Sequence, residues 1–338
     1  MKAALIKEFN KDFAIEDVPM PEIGEHDALV KVKASCLCAA DAKIRDGKMP
    51  SLTLPHVPGH EVVGEVVETG KQVHTIKPGD RVVVYMYTVC GDCYACRGGR
   101  ENLCVNIVRL GLERPGGHAE YVAVPERQLL HLPETITFEH GAAIPDAVCT
   151  SLHAIQDQGG VKLNDFVVIL GVGGLGMQAV QIARLSGARV IAVARDEKKL
   201  EYAKGLGAEW TINGNDERLV EKIIETTQGR GADVVIDMVG TQQTFESSAN
   251  CIKKGGTIVI VGSGEPQIAF MVGQVMFKEI AIKGSLGMTK QTVLDAIDLC
   301  QSGKLTPAVT DRYPLEDINE AARNLSEGRI IGRSVLIP

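Results

Sequence analysis

The run "CGDCYACRGGRENLC" (90–104) places Cys90, Cys93, Cys96 and Cys104 in one short stretch of chain. Four thiolates at that spacing can enclose a tetrahedral Zn2+ with no position left for water, which marks a structural ion rather than a reactive one. Such an ion would pin a loop too polar to bury itself. An iron–sulfur cluster or two disulfides would use the same residues and remain alternatives. A second set is dispersed: Cys38 in "SCLCAADAK", His60 and Glu61 in "PGHE", and a third ligand somewhere in "AAIPDAVCTSLHA" (142–154). Three protein ligands and one position kept for water or substrate would make a Lewis-acid centre. Ligands this far apart cannot be assigned from spacing, because a lone cysteine or histidine often simply packs in a core.

A third stretch, "VVILGVGGLG" (167–176), sets Gly171, Gly173 and Gly176 straight after an apolar run and at the mouth of a helix. There the backbone N–H groups of Gly173, Gly174, Leu175 and Gly176 can face a pyrophosphate, and glycine permits its close approach. The plain alternative is a tight turn without a ligand. At the end of the next strand, where a carboxylate would hold the ribose hydroxyl of NAD, the chain has Ala194 and then Arg195. The absent negative charge and the adjacent guanidinium favour NADP, while Asp196 keeps NAD in play.

The elements around these residues fall into two textures. Up to about residue 147, short valine-rich runs such as "HEVVGEVVETG" and "GDRVVVYMY" alternate with glycine and proline, as in a β-rich, barrel-like domain. From about 148 to 288, strands alternate with helices: "FVVIL", "RVIAV", "ADVVID" and "TIVIVG", with helices through "MQAVQIARLSG", "DEKKLEYAKGLG" and "TQQTFESSANCIKKGG". This rhythm predicts an α/β fold, a Rossmann doubly wound parallel sheet covered by helices. From 289 a helix and the closing strand "GRSVLIP" return to the first domain. The chain has 338 residues with a formal net charge of −7, which argues against a nucleic-acid partner and for small molecules. No apolar run near the length of a membrane span occurs, and the charged residues near Met1 do not suit a signal peptide. Nine cysteines, four of them crowded together, suit a reducing cytoplasm better than a disulfide frame.

Taken together, Cys38 with Asp41, "GHEVVGEVVETG" (59–70), "GDRV" (79–82), the four-cysteine lobe, "GGHAEYVAVP" (116–125) and "GVGGLG" resemble the zinc-containing medium-chain alcohol dehydrogenase family over essentially the whole chain. The resemblance implies two zinc ions, one structural and one catalytic, a nicotinamide cofactor held with the catalytic zinc in one cleft, and a homodimer or homotetramer pairing through "IAIKGSLG" (280–287). It implies that Cys38 and His60 are zinc ligands and that Glu61 is the adjacent carboxylate that binds when substrate is absent. The third ligand, a cysteine in many relatives, aligns here with Asp146, as in certain bacterial secondary-alcohol dehydrogenases; Cys149 is the competitor. Asp41 is expected to accept the other ring N–H of His60. Thr150 is expected beside the nicotinamide, Arg333 at the pyrophosphate, and Tyr85 or Met86 at the substrate.

One position departs from the family. Two residues after the zinc cysteine, relatives usually carry a hydroxyl that relays the substrate's proton, and three further on often a histidine; here these are Ala40 and Lys43. The expected activity is hydride transfer between NAD(P) and an alcohol, ketone or aldehyde. The missing hydroxyl leaves two alternatives open, reduction of an activated alkene and a non-catalytic scaffold that binds NADP and zinc.

Overall fold

A computed structural model of the chain describes residues 1–49 and 52–338. It divides into two compact units, Met1–Asp146 with Thr289–Pro338, and Ala147–Met288. The first division falls one residue before the boundary expected from sequence.

The first unit is built on the strand Asp27–Leu37. Its eleven residues pair antiparallel with Glu61–Thr69, Tyr121–Pro125 and Arg333–Ile337, inside a seven-stranded sheet. Valine, leucine and alanine dominate the strand, and eight of its eleven residues are buried, so its register is strongly specified. That register aligns ends that are far apart in sequence. Cys36 pairs with Glu61 and Leu37 with Ser334, so the ends carrying Cys38, His60 and Arg333 lie side by side. The strand Val309–Pro314 extends the sheet in parallel beyond Arg333–Ile337, which shows the closing segment joining the first unit.

The second unit holds a six-stranded, all-parallel sheet. From one edge to the other its strands are Trp210–Asn213, Arg189–Ala194, Phe166–Leu170, Ala232–Asp237, Ile252–Ile260 and Ala281–Gly284. Numbered in chain order within the unit, this is 3-2-1-4-5-6, the doubly wound Rossmann arrangement. Phe166–Leu170 is buried at every position, as a strand covered on both faces must be. Its carboxyl end lies where the strand order reverses, and Gly171 follows at once. One local expectation differs. The helix Gln242–Cys251 ends before "IKKGG", which continues as the start of the strand Ile252–Ile260 with a register shift. Trp210 is only partly buried and packs from the edge strand against the core, near Phe166 and Arg189. No helix among the described residues is long and apolar enough to cross a membrane.

Candidate metal centres and dinucleotide turn

The cysteine lobe is framed by a two-stranded ribbon, Tyr87–Thr88 with Val108–Arg109. Between the strands, Cys93 precedes the short helix Tyr94–Arg97 and Cys104 closes the turn Glu101–Leu103. One sulfur from each of Cys90, Cys93, Cys96 and Cys104 falls in a single group within 4.8 Å. The Cys90 sulfur lies 3.5 Å from that of Cys104 and 3.9 Å from that of Cys96. A tetrahedral zinc–sulfur site has S···S edges of about 3.8 Å. Backbone N–H groups of Cys96 and Val105 pull the Cys93 thiol down to about 6. Desolvation and the neighbouring Cys93 push Cys96 up to about 12. Four thiols so close together cannot all ionise without a cation among them, so the donor set fits a metal ion.

The second cluster collects Cys38, His60, Glu61 and Asp146, whose ligand atoms also lie within 4.8 Å of one another. Cys38 ends the long strand and caps the helix Ala39–Arg45; His60 immediately precedes the strand Glu61–Thr69. Asp146 is presented by Ile144–Val148, a π-helical turn in which Pro145 has no N–H to give to the preceding turn. The Asp146 Oδ2 lies 3.9 Å from Cys38 Sγ and 3.8 Å from His60 Nε2. These separations are close to the ligand–ligand edges of about 3.4–3.6 Å expected around a tetrahedral zinc held by mixed ligands. Glu61 Oε2 is buried with no hydrogen-bond partner. Leaving such an atom unsatisfied costs about 1–3 kcal/mol, more for a charged group, and a cation facing it would offset that cost. Cys149, the competing ligand, is not in the group.

The electrostatics of the cluster follow from burying so many charges together. Burial pushes the Cys38 thiol up, but the Arg333 guanidinium and His60 outweigh it and the net shift is downward. Burial pushes Glu61 well above the carboxylate range, only partly opposed by Arg333. His60 is raised well above its ordinary value because Asp41 and Asp146 outweigh its desolvation. Tyr87, which the sequence reading passed over, is pushed up by burial and by the charge of Asp146, so its phenol stays protonated. Tyr85 and Met86, expected at a substrate, are both buried in the first unit.

Arg333, expected at a pyrophosphate, is only 3% exposed, and its Nη2 donates to Glu61 Oε1 and, over 3.0 Å, to Asp146 Oδ2. The same nitrogen lies 3.7 Å from Cys38 Sγ. The strand register brings residue 333 beside residue 38, and the guanidinium sits against Glu61, Asp146 and the Cys38 sulfur.

Asp41 lies behind His60, with its Oδ1 3.5 Å from His60 Nδ1, and its Oδ2 accepts the Cys38 backbone N–H at 2.8 Å. Asp41 is held well below the usual carboxylate range despite complete burial, chiefly by His118 and then by His60. His118, within "GGHAEYVAVP", was not singled out from sequence. Ala40 and Lys43 both lie on the helix Ala39–Arg45, and Ala40 brings no hydroxyl.

In the second unit the glycine turn has the geometry of a phosphate cradle. Gly171 adopts φ +91°, and a Cβ there would meet Val239 Cγ2 at 2.5 Å. A Cβ on Gly176 would lie 2.1 Å from the Gly171 carbonyl oxygen, so only glycine lets the helix Gly174–Leu185 start so close to the strand. A Cβ on Gly173 would have open space around it, which suits the approach of a ligand to the backbone. Arg195 is exposed just beyond the carboxyl end of Arg189–Ala194. The Asp196 carboxylate caps the next helix by accepting the Lys198 N–H at 2.7 Å. Thr150 is buried in the short helix Cys149–His153.

Comparison with known proteins agrees with these features. A model of the alcohol dehydrogenase GroES-like domain matches residues 24–134, and one of the zinc-binding dehydrogenase domain matches residues 174–302. An alcohol dehydrogenase of Geobacillus stearothermophilus is 36% identical over 338 residues, covering 99% of this chain and 98% of its own. The chain belongs to the zinc-containing medium-chain alcohol dehydrogenase family. Among solved family structures, an NAD-dependent alcohol dehydrogenase superposes with a TM-score of 0.96 at 35% identity, each chain covered completely. A protein of Sinorhizobium meliloti 1021 described as a zinc-binding dehydrogenase and bound to NADP gives 0.90 at 34% identity, covering 100% of this chain and 99% of that one. Structures of the family thus carry names with either dinucleotide.

Proposed function

We propose that this protein is a zinc-dependent dehydrogenase that interconverts a small alcohol and its ketone or aldehyde with NADP as the hydride carrier. The observation supporting it most directly is the convergence of Cys38, His60, Glu61 and Asp146, from three distant segments, beside a separate four-cysteine cluster. A scaffold needs only the cysteine cluster. In this reading Cys38, His60 and Asp146 hold the catalytic zinc, with Glu61 as the exchanging carboxylate, while Cys90, Cys93, Cys96 and Cys104 hold the structural one. When bound, zinc supplies Lewis-acid polarisation of a carbonyl oxygen, and the nicotinamide gives or takes the hydride.

The chain's own residues do the rest. Asp41 fixes the ring of His60 so that Nε2 is the ligand atom. Arg333 balances the charge of Glu61 and Asp146, and lets Glu61 be held either by the guanidinium or by the ion. Gly171, Gly173, Gly174, Leu175 and Gly176 offer backbone N–H groups to the pyrophosphate, and Thr150 packs by the nicotinamide. The preference for NADP rests on Ala194 and Arg195, and on the use of the Asp196 carboxylate as a helix cap. The reading includes a cytoplasmic setting, suited to so many thiols. It also includes a homodimer or homotetramer, supported by the edge strand Ala281–Gly284 and the exposed Met271, Val272, Met276 and Phe277 nearby in sequence.

Ala40 favours a second reading, reduction of an activated alkene, where hydride arrives at the β-carbon and no hydroxyl is needed beside an alkoxide. A substrate panel decides between them. With NADPH in excess, ketones and aldehydes are expected to be reduced; consumption of NADPH with enones or enoyl thioesters alone overturns the alcohol assignment.

A further inference from the structure

Behind the mixed-ligand cluster the structure extends the expected pair of His60 and Asp41 into a buried chain of polar groups through His118 and Ser35, which the family resemblance did not single out. Ser35, His118 and Asp41 are each fully buried, and His60 is nearly so. Ser35 Oγ lies 2.8 Å from His118 Nδ1, His118 Nε2 lies 3.3 Å from Asp41 Oδ2, and Asp41 Oδ1 lies 3.5 Å from His60 Nδ1. The last two are charge contacts rather than well-formed hydrogen bonds. Yet among the described residues His118 Nε2, Asp41 Oδ1 and His60 Nδ1 have no hydrogen-bond partner. Buried polar atoms normally find counterparts, and here the Asp41 carboxylate faces both ring nitrogens.

The backbone around His118 is built for this position. The His118 N–H donates to the Pro58 carbonyl at 3.0 Å, and the Gly117 N–H to that of Gly59 at 2.9 Å, which fastens the segment to the stretch leading into His60. Gly59, at φ +103°, leaves no room for a Cβ, which would sit 2.6 Å from both the His118 nitrogen and its ring. The imidazole is therefore pressed against the loop that delivers His60. Asp41 meanwhile accepts the Cys38 N–H, so one carboxylate ties both ligand-bearing segments, and His118 holds that carboxylate from behind.

We propose that His118 is a positioning residue for the catalytic metal: with Ser35 behind it, it fixes the Asp41 carboxylate, which in turn orients His60 and the Cys38 backbone. This rests on the reading of the Cys38 cluster as a metal site. An ionised Asp41 can only accept, so the ring nitrogen of each histidine facing it carries a proton. That leaves His60 Nε2 with its lone pair toward the other ligands, and His118 Nδ1 bonded to the Ser35 hydroxyl.

The test compares metal retention at the two clusters in the full-length protein, by metal content under graded dipicolinate and by the visible spectrum of the cobalt(II)-substituted protein. His118→Phe keeps the volume and removes the donor; it is expected to weaken metal at the Cys38 cluster by ~10–100-fold and shift its cobalt bands, leaving the four-cysteine ion unchanged. His118→Gln, which restores an N–H, is expected to recover most of the affinity, and Ser35→Ala to cost less than ~10-fold. A folded His118→Phe with unchanged affinity and spectrum overturns the proposal. So does equal loss in His118→Phe and His118→Gln with no change in Ser35→Ala, which would indicate packing alone. If His118→Phe does not fold, the other two variants decide: an altered spectrum confined to the Cys38 cluster supports the proposal, and parental behaviour in both overturns it. Cys38→Ser is the control. Should it leave the chelatable ion in place, the metal reading of the cluster fails, independently of His118.

Discussion

The two metal-binding candidates differ in how they are assembled. The cysteine cluster draws its four sulfurs from positions 90–104, a local excursion closed by a short ribbon and a single helical turn. Backbone N–H groups lower the thiols of Cys90 and Cys93. The Cys38 cluster draws on residues 38, 60, 61 and 146, with a guanidinium from residue 333; strand register brings all but Asp146 together, and the turn Ile144–Val148 supplies Asp146. Its donors are chemically mixed, deeply buried and partly unsatisfied. A uniform, locally built set suits an ion that must stay; a mixed, remotely built set suits one whose ligands must exchange.

Cys38→Ser should break this contrast most severely. It is expected to lower kcat/KM by ~10³-fold or more, because the Lewis acid is lost, with little change in melting temperature. Steady-state kinetics and a thermal melt on one preparation check it; comparable activity would remove the Cys38 cluster from the chemistry. Cys93→Ser is expected to do the reverse, releasing one ion and lowering the melting temperature by roughly 5 °C or more while the remaining folded protein keeps its turnover number. Active-site titration with metal analysis separates the two effects.

A finer distinction concerns the cofactor in the second unit. Arg195→Ala is expected to raise the KM for NADPH by ~10-fold with little effect on NADH, the loss of one charge-assisted contact. Equal effects on both cofactors would place Arg195 outside a 2′-phosphate site. The smallest expected change is that of Ala40→Ser. If an alkoxide forms beside residue 40, the new hydroxyl shifts the pH dependence of kcat and changes the rate by up to ~10-fold, at the low end of general acid–base effects. An unchanged profile would show that proton transfer never depended on that position.

The legibility of these parts in sequence follows their range. The glycine turn is local, since strand, turn and helix follow one another, and the structure explains Gly171 by its positive φ and Gly176 by its contact with the preceding carbonyl. The parallel sheet also follows from the alternation of elements, whereas its strand order came from the structure, and the helix ending at Cys251 and the strand starting at Ile252 lay in one polar-looking stretch. His118 had no such signal. A histidine in a glycine-rich turn is ordinary until its loop is seen fastened beside Pro58 and Gly59. The contacts of Arg333 with Glu61 and Asp146 had no signal in sequence either, because the strand register sets them.

By itself the sequence determined the two domain textures, the four-cysteine lobe and the glycine-rich turn, because each depends on neighbours within a few residues, where backbone geometry and side-chain spacing dictate contact. Only the tertiary structure decided that Asp146 rather than Cys149 joins Cys38 and His60, that Arg333 touches Glu61 and Asp146, and that His118 stands behind Asp41. Those outcomes depend on strand register and burial, and the electrostatic partner of a buried group is set by what the fold brings within a few ångströms, which no spacing along the chain encodes.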